Sequence, residues 1–300
     1  MTSGKLLPIV GIVVWSGVAL AALPRAVSHG RTGILANREG DAVRSCSDLR
    51  SAFDDKPAVI ESEERTISKI EAPVLRVSME PNGGTQVLGW DQDSYSVTLC
   101  KAVEAGGDQD ALLREIHLDF QSGELRVAGP SLSGRWSAHL LIRSPRAASL
   151  DLQVHNGPLS LRGVDGSIKV RAQNGPVSVS GCSGELDLES QNGPLTLEAN
   201  RGKQNVRIAN GPVTVSLSGD SWVGSGLEAH GTNGPATLRI PAGYRTGVLL
   251  ESEGRSPFEC RASVCSEGRK TWEGDRKRIE FGSGPTLVHV STENGPLSVD

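Results

Sequence analysis

Asn-Gly-Pro recurs at residues 156, 174, 192 and 210, a spacing of 18 each time, and returns at Asn233 and Asn294. A second glycine falls between the triplets at 166, 184 and 202, so glycine punctuates the chain every nine residues from Gly157 to Gly211. Apolar side chains alternate after these glycines: Leu159 and Leu161, Ile168 and Val170, Val177 and Val179, Leu186 and Leu188, Leu195 and Leu197. Val206 and Ile208, then Val213 and Val215, continue the series. Alternation with period two over short runs marks half-buried strands. A fixed sequence period marks a repeated structural unit.

Two arrangements accommodate nine-residue strand-and-turn units. In an antiparallel meander, Asn-Gly would form hairpin turns. In a β-solenoid, two strand segments would occupy each 18-residue coil. Proline separates the two. A two-residue hairpin needs the residue after Asn-Gly to donate its N–H back across the turn. Here that residue is Pro158, Pro176, Pro194 or Pro212, which has no N–H. Glycine before proline is also pushed toward extended geometry. A solenoid corner needs only a bend and then a strand. Because parallel β-to-β crossovers are nearly always right-handed, the predicted fold is all-β: a right-handed β-helix or β-solenoid with about 18 residues per coil. An antiparallel meander or sandwich is the alternative.

Stacked in this register, Asp151, Lys169, Asp187 and Asn205 form one outward row, and Gln153, Arg171, Glu189 and Arg207 form the next. Unlike charges then alternate at a strand spacing of about 4.8 Å, a favourable arrangement. The triplet asparagines are expected to stack into a ladder at one corner. Inward, Leu150, Ile168 and Leu186 stack beside Leu152, Val170, Leu188 and Val206. A slip of one residue would bury the charges, so the register is well specified.

The first third is less regular. Runs at 75–78, 86–88, 95–99 and 125–127 read as strands, and Asp110–Ile116 reads as a short helix. Residues 45–137 are read as irregular N-terminal coils or a cap, because terminal repeats must cover an open end. Residues 138–300 are read as the repeats, with insertions at 218–226 and 253–282.

Residues Leu6–Leu23 form an apolar run of 18 behind Lys5. That length lies between a signal-peptide core of roughly 7–15 residues and a spanning helix of about 20. Ala19-Leu20-Ala21 offers a cleavage site. Residues 1–24 therefore read as a cleaved signal peptide or as an N-terminal membrane anchor, with a linker at 25–44. Either way the remainder is exported, to the periplasm, the cell surface or the medium. Export permits disulfides among the five cysteines. Cys260 and Cys265, five apart in a turn-rich segment, are expected to pair and Cys182 to stay free. Cys46 and Cys100 remain open as a second pair. The net charge of −4 gives no electrostatic case for nucleic acid. With 36 glycines, 16 prolines and 4% aromatics, the chain is neither a helical bundle nor a polytopic membrane protein.

The stretch SLDLQVHNGPLSLRGVDGSIKVRAQNGPVSVSG resembles a bacterial family of exported β-strand-repeat domains known as putative adhesins, whose function is unknown. The closing TLVHVSTENGPLSV is similar to the terminal coil seen there. The resemblance covers roughly residues 70–300 and is strongest over 138–240. It implies a right-handed β-helix-like fold and carries over no catalytic residues. The two insertions depart from the family's regular repeat.

Few constellations suggest chemistry. Asp187 and Glu189 lie at i, i+2 on one strand face and would suit acid–base work, but Lys169, Arg171 and Arg207 flank them as a salt-bridge ladder would. The six histidines are scattered, and none has a partner at metal-ligand spacing. Calcium-binding β-rolls repeat an aspartate at each turn, whereas this chain has Asp165, Ser183 and Arg201. A hydroxyl row of Ser160, Ser178, Thr196 and Thr214 is flanked by the charged row Arg162, Ser180, Glu198 and Ser216, which does not suit ice binding. No cofactor, metal or catalytic residue is expected. Packing leaves the insertions unexplained, and loops on a rigid scaffold commonly carry binding. Trp222, Trp272, Arg269 and Arg276 are the expected partner contacts, with a surface glycan or an envelope protein as the partner. The expected function is a non-enzymatic, adhesin-like binding or scaffold protein of the cell envelope. A polysaccharide-acting enzyme and an envelope sensory or accessory module are the alternatives.

Overall fold

A strand that alternates apolar and polar residues must bury one face and solvate the other. The computed structural model shows where the buried faces meet, and it describes residues 33–35, 43–53, 56–79, 83–131, 134–253 and 256–300. The run Leu6–Leu23, and with it the reading as signal peptide or anchor, lies outside the described residues. Among the described residues, no helix is long and apolar enough to cross a membrane. The described residues are all-β apart from one short helix and two 3-10 turns, and their strands form two large mixed sheets of 13 and 12 strands. Neither sheet closes into a barrel.

The strands flanking each Asn-Gly-Pro lie in opposite sheets. Ser149–Asn156, Ser167–Asn174, Glu185–Asn192 and Arg201–Asn210 belong to the 12-stranded sheet. Leu159–Arg162, Val177–Ser180, Leu195–Ala199 and Val213–Leu217 belong to the 13-stranded sheet. These triplets are corners between sheets and not hairpin turns. Each strand pairs in parallel with its counterpart one repeat on: Leu150 with Ile168, Ile168 with Leu186, Leu159 with Val177, Val177 with Leu195. The inner faces of both sheets share one apolar core, in which Leu152, Ile168, Val170, Leu186, Leu188 and Leu195 are all buried.

The corners show why the triplet has its composition. A Cβ on Gly175, Gly193, Gly211 or Gly234 would lie only 2.2–2.3 Å from the carbonyl oxygen of the preceding corner glycine. Their φ values, between 128° and 142°, also disfavour any other residue. Proline loses nothing here. Its carbonyl accepts from the strand of the preceding repeat, as in Leu159 N–H to Pro176 O (2.9 Å) and Val177 N–H to Pro194 O (2.9 Å). The asparagine side chains form an unbroken ladder. Asn174 donates to Asn156 (2.9 Å), Asn192 to Asn174 (2.9 Å), Asn210 to Asn192 (3.0 Å), Asn233 to Asn210 (3.1 Å) and Asn294 to Asn233 (3.2 Å).

Outward rows follow the same register. The contacts within them are more varied than simple alternation of charge. Arg171 reaches diagonally to Asp151 (3.5 Å), Lys203 pairs with Glu185 (2.6 Å), and Asn205 donates to a half-buried Asp187 (2.9 Å).

Two features lie beyond what sequence periodicity reveals. The repeat register begins ahead of residue 138: Val74–Met79 pairs in parallel with Ser149–Asn156, and Gly83–Trp90 with Leu159–Arg162. The closing segment is not terminal in space. Thr286–Asn294 lies between Val223–Asn233 and Gly247–Ser252, and Leu297–Val299 lies between Ala236–Arg239 and Phe258–Cys260. Among the other early strands, Lys56–Ser68 and Trp136–Pro145 flank Ser94–Glu104, each antiparallel to it. The helix, Gln109–Glu115, buries Leu112 and Leu113.

Residues 43–49 cover part of the outer face of the 13-stranded sheet. Val43 and Leu49 pack with Leu141, a disulfide joins Cys46 to Cys100, and Gln86 exchanges two hydrogen bonds with the Val43 backbone (2.9 and 2.6 Å). His139 sits on this strand face, between Gly84 and Cys100 in register. It is 3% exposed, and neither ring nitrogen has a hydrogen-bond partner. Burial pushes its pKa down to about 4. A second disulfide joins Cys260 to Cys265, while Cys182 is buried and unbonded, its thiol pKa pushed up by burial.

Two outcomes are expected. Gly193→Ala should lower stability by roughly 2–5 kcal/mol, through overpacking and backbone strain together. Asn192→Ala, which removes exposed ladder bonds, should cost about 1 kcal/mol. Denaturant titration compares them, and equal losses would mean that the glycine approach is not the dominant constraint. His139 behaves differently with pH. Its folded pKa is depressed, so the unfolded chain binds more protons below pH 6.5. Stability should fall by about 3 kcal/mol between pH 6.5 and pH 4 and then level off for this group. His139→Gln should flatten that slope, and an unchanged slope would show that other groups control acid sensitivity.

Candidate functional site

Where the corner asparagines begin, the outer face of the 12-stranded sheet carries a shallow groove of about 380 Å³. It crosses five parallel strands, from Ser149–Asn156 to Val223–Asn233. At a strand spacing of about 4.8 Å, the outermost of these strands are about 19 Å apart. One bank is the row Gln153, Arg171, Glu189, Arg207 and His230. The other is His155, Gln173, Gln191, Ala209 and Thr232. The backbone between the banks forms the floor, because the intervening side chains Val154, Ala172, Ser190 and Ile208 point into the core.

The banks present planar amide, guanidinium and imidazole groups at a regular repeat. Such groups donate and accept in fixed directions. Arg171 is tethered to Asp151, and His230 lies against Ser291 (2.9 Å) and Glu293 (3.2 Å). Beyond His230, the same face continues with His289, which lies 2.8 Å from both Glu228 and Glu251, and Arg278 lies 2.8 Å from Glu251. This linked set ties the face across three further strands. In the sequence, Arg171, Glu189 and Arg207 read as part of a charge ladder. The shared phase of His155, Gln173 and Gln191 is legible in the sequence; that their row and the ladder bank an open floor is visible only in the structure.

The residues expected to contact a partner prove to differ from one another. Trp222 is 5% exposed and belongs to the core. Its indole N–H donates to Gly202 O (3.1 Å) and its backbone N–H to Thr246 Oγ1 (2.7 Å). The insertion at 218–226 is thus folded back, and Trp222 has no free face for a partner. Trp272 is 67% exposed, on the strand Arg269–Glu273. The basic residues of that loop are largely engaged: Arg269 with Glu280, Arg276 with Glu253, Arg278 with Glu251, and Lys277 with Ser256 O. Together, Trp272 and the exposed ion pairs make a mixed surface and not a basic patch.

No protein-family model matches the chain, and no curated protein matches it. Among similar solved structures is a putative cell adhesion protein from Clostridium sporogenes, at 13% identity and a TM-score of 0.37, covering 80% of this chain and 99% of its own. A putative lipid binding protein from Parabacteroides distasonis shows 10% identity and a TM-score of 0.35, with coverage of 80% and 97%. A putative adhesin from Bacteroides fragilis shows 11% identity and a TM-score of 0.24, with coverage of 80% and 96%. Most of these names match the family that the repeat stretch resembles. At such TM-scores the likeness carries no weight for function.

Trp222→Ala should destabilise the protein by about 3–5 kcal/mol, the range for emptying a buried aromatic site. Trp272→Ala should change stability by less than about 0.5 kcal/mol, as exposed substitutions do. Thermal or chemical denaturation separates the two, and a silent Trp222→Ala would mean that the insertion is not anchored by its indole.

Proposed function

We propose that this chain is a non-enzymatic, exported binding protein that holds a linear surface polymer, a glycan by preference, along the groove of its 12-stranded sheet. The groove carries this reading: five strands place their side chains in two banks over an open floor, polar at every position but Ala209. A linear polymer lying across the strands meets a side chain of each bank at every strand spacing of about 4.8 Å. Individual contacts of this kind are weak, and their sum depends on a rigid register. The fold reading that goes with it is a right-handed β-solenoid of about 18 residues per coil, supported by parallel pairing of residues 18 apart and by the corner ladder. Export to the envelope is supported by the apolar run Leu6–Leu23 and by the two disulfides, which persist in oxidising compartments.

A glycan array probed with the full chain tests this, alongside a reducing-sugar assay on each ligand retained. Saturable retention without release of sugar ends is expected. Arg171→Ala with Arg207→Ala should weaken retention about tenfold or more, in the range of interface anchors, while thermal stability stays within about 0.5 kcal/mol. Turnover of a retained glycan, or retention indifferent to the two arginines, would overturn the proposal.

A further inference from the structure

Most free ends of the two sheets are managed. The helix Gln109–Glu115 buries its apolar side chains at the N-terminal end of the core. At the edge formed by Phe258–Cys260, the turn closed by Cys260 and Cys265 packs Ala262 and Val264 on the core. The strand Arg269–Glu273 is different. It is the last strand of the 12-stranded sheet, all five of its residues are exposed, and it carries Trp272. An uncovered edge strand is a template for pairing with another strand.

The sequence of that edge, Arg269-Lys270-Thr271-Trp272-Glu273, reads as its own complement when reversed. Antiparallel pairing with a second copy about Thr271 sets Arg269 against Glu273 of that copy and Lys270 against its Trp272. The first pairing joins opposite charges, and the second sets an ammonium beside an indole; both are favourable cross-strand pairs. Backbone polarity agrees. The two-residue turn Gly274-Asp275 closes on the pair Glu273 and Arg276. Hydrogen bonding alternates along an antiparallel pair, so residues 269, 271 and 273 bond to the strand Arg276–Phe281. The N–H and C=O groups of Lys270 and Trp272 therefore face the open side. In the symmetric pairing these are the residues that meet, and they exchange four backbone hydrogen bonds. Arg269, with a side chain 75% exposed beside Glu280, can still take a second carboxylate.

We infer that the chain forms a twofold dimer through this edge, which joins two 12-stranded sheets into one continuous sheet. A C2 interface must be self-complementary, and this strand satisfies that in charge, in ring contact and in backbone bonding. The dimer would lengthen the groove-bearing face without covering the groove.

Cross-linking of the full chain tests the register. Thr271→Cys places a thiol on the twofold axis, within disulfide reach of its own copy. Glu273→Cys places it about 13 Å from its own copy, four residues of strand away. Cys182 is buried and does not interfere. Mild oxidation should give a reducible dimer with Thr271→Cys and monomer with Glu273→Cys. In the Thr271→Cys background, Arg269→Glu alone and Glu273→Arg alone should each reduce cross-linking at least fivefold. Mixing those two variants should restore it, because each then supplies the charge that the other lacks; two misfolded variants would not recover on mixing. The inference is overturned if Thr271→Cys stays monomeric, if Glu273→Cys cross-links equally well, or if mixing restores nothing. Capture of a foreign strand at this edge without self-linking would also overturn it.

Discussion

The backbone of each Asn-Gly-Pro corner approaches the next so closely that there is no room for a Cβ between them. An added Cβ on Gly193 would lie 2.3 Å from Gly175 O, and one on Gly211 would lie 2.2 Å from Gly193 O. Everything else in the repeat depends on that approach. It brings successive asparagine amides within hydrogen-bonding distance. It also lets the proline carbonyl serve the strand of the preceding repeat while the missing proline N–H is never called upon. Three residue types that disfavour regular structure singly become, in this order, a hydrogen-bonded junction between two sheets.

Once the corners are stacked, the alternating strands have little freedom. A slip by one residue would bury Lys169 and Glu189 and expose Val170 and Leu188, so the core and the ladder specify the same register. Outward positions then come into line by default. The groove is a consequence of this: its banks exist because residues two positions apart on every strand share a face. Its chemistry differs from that of the rest of the face because His155, Gln173 and Gln191 stand where charged residues stand in the neighbouring row.

Repeats need ends, and here the ends are made from unlike parts. A helix, an antiparallel group of strands and an N-terminal cover held by the Cys46–Cys100 disulfide lie toward one end. A disulfide-closed turn and an exposed hairpin lie at the other. The closing strand Thr286–Asn294 enters between two strands that precede it in sequence. Its slot exists only when Gly247–Ser252 stands one strand away from Val223–Asn233, so this part of the sheet is completed by the last segment of the chain.

The sequence alone determined the strand period, the buried and exposed faces and the corner ladder, because each depends on contacts repeated every 18 residues. The helix near Asp110 and the outward rows were legible for the same local reason. Only the tertiary structure decided that Trp222 folds into the core. Its indole partner, Gly202 O, belongs to a neighbouring strand that periodicity does not connect to the loop. The pairing of Arg269, Arg276 and Arg278 with Glu280, Glu253 and Glu251 was hidden in the same way, since charge composition does not reveal which partners a hairpin brings together. The early start of the register at Val74 and the insertion of the last strand were also decided in three dimensions. Both join segments separated by long stretches of chain, and parallel pairing between such segments leaves no local mark on the sequence.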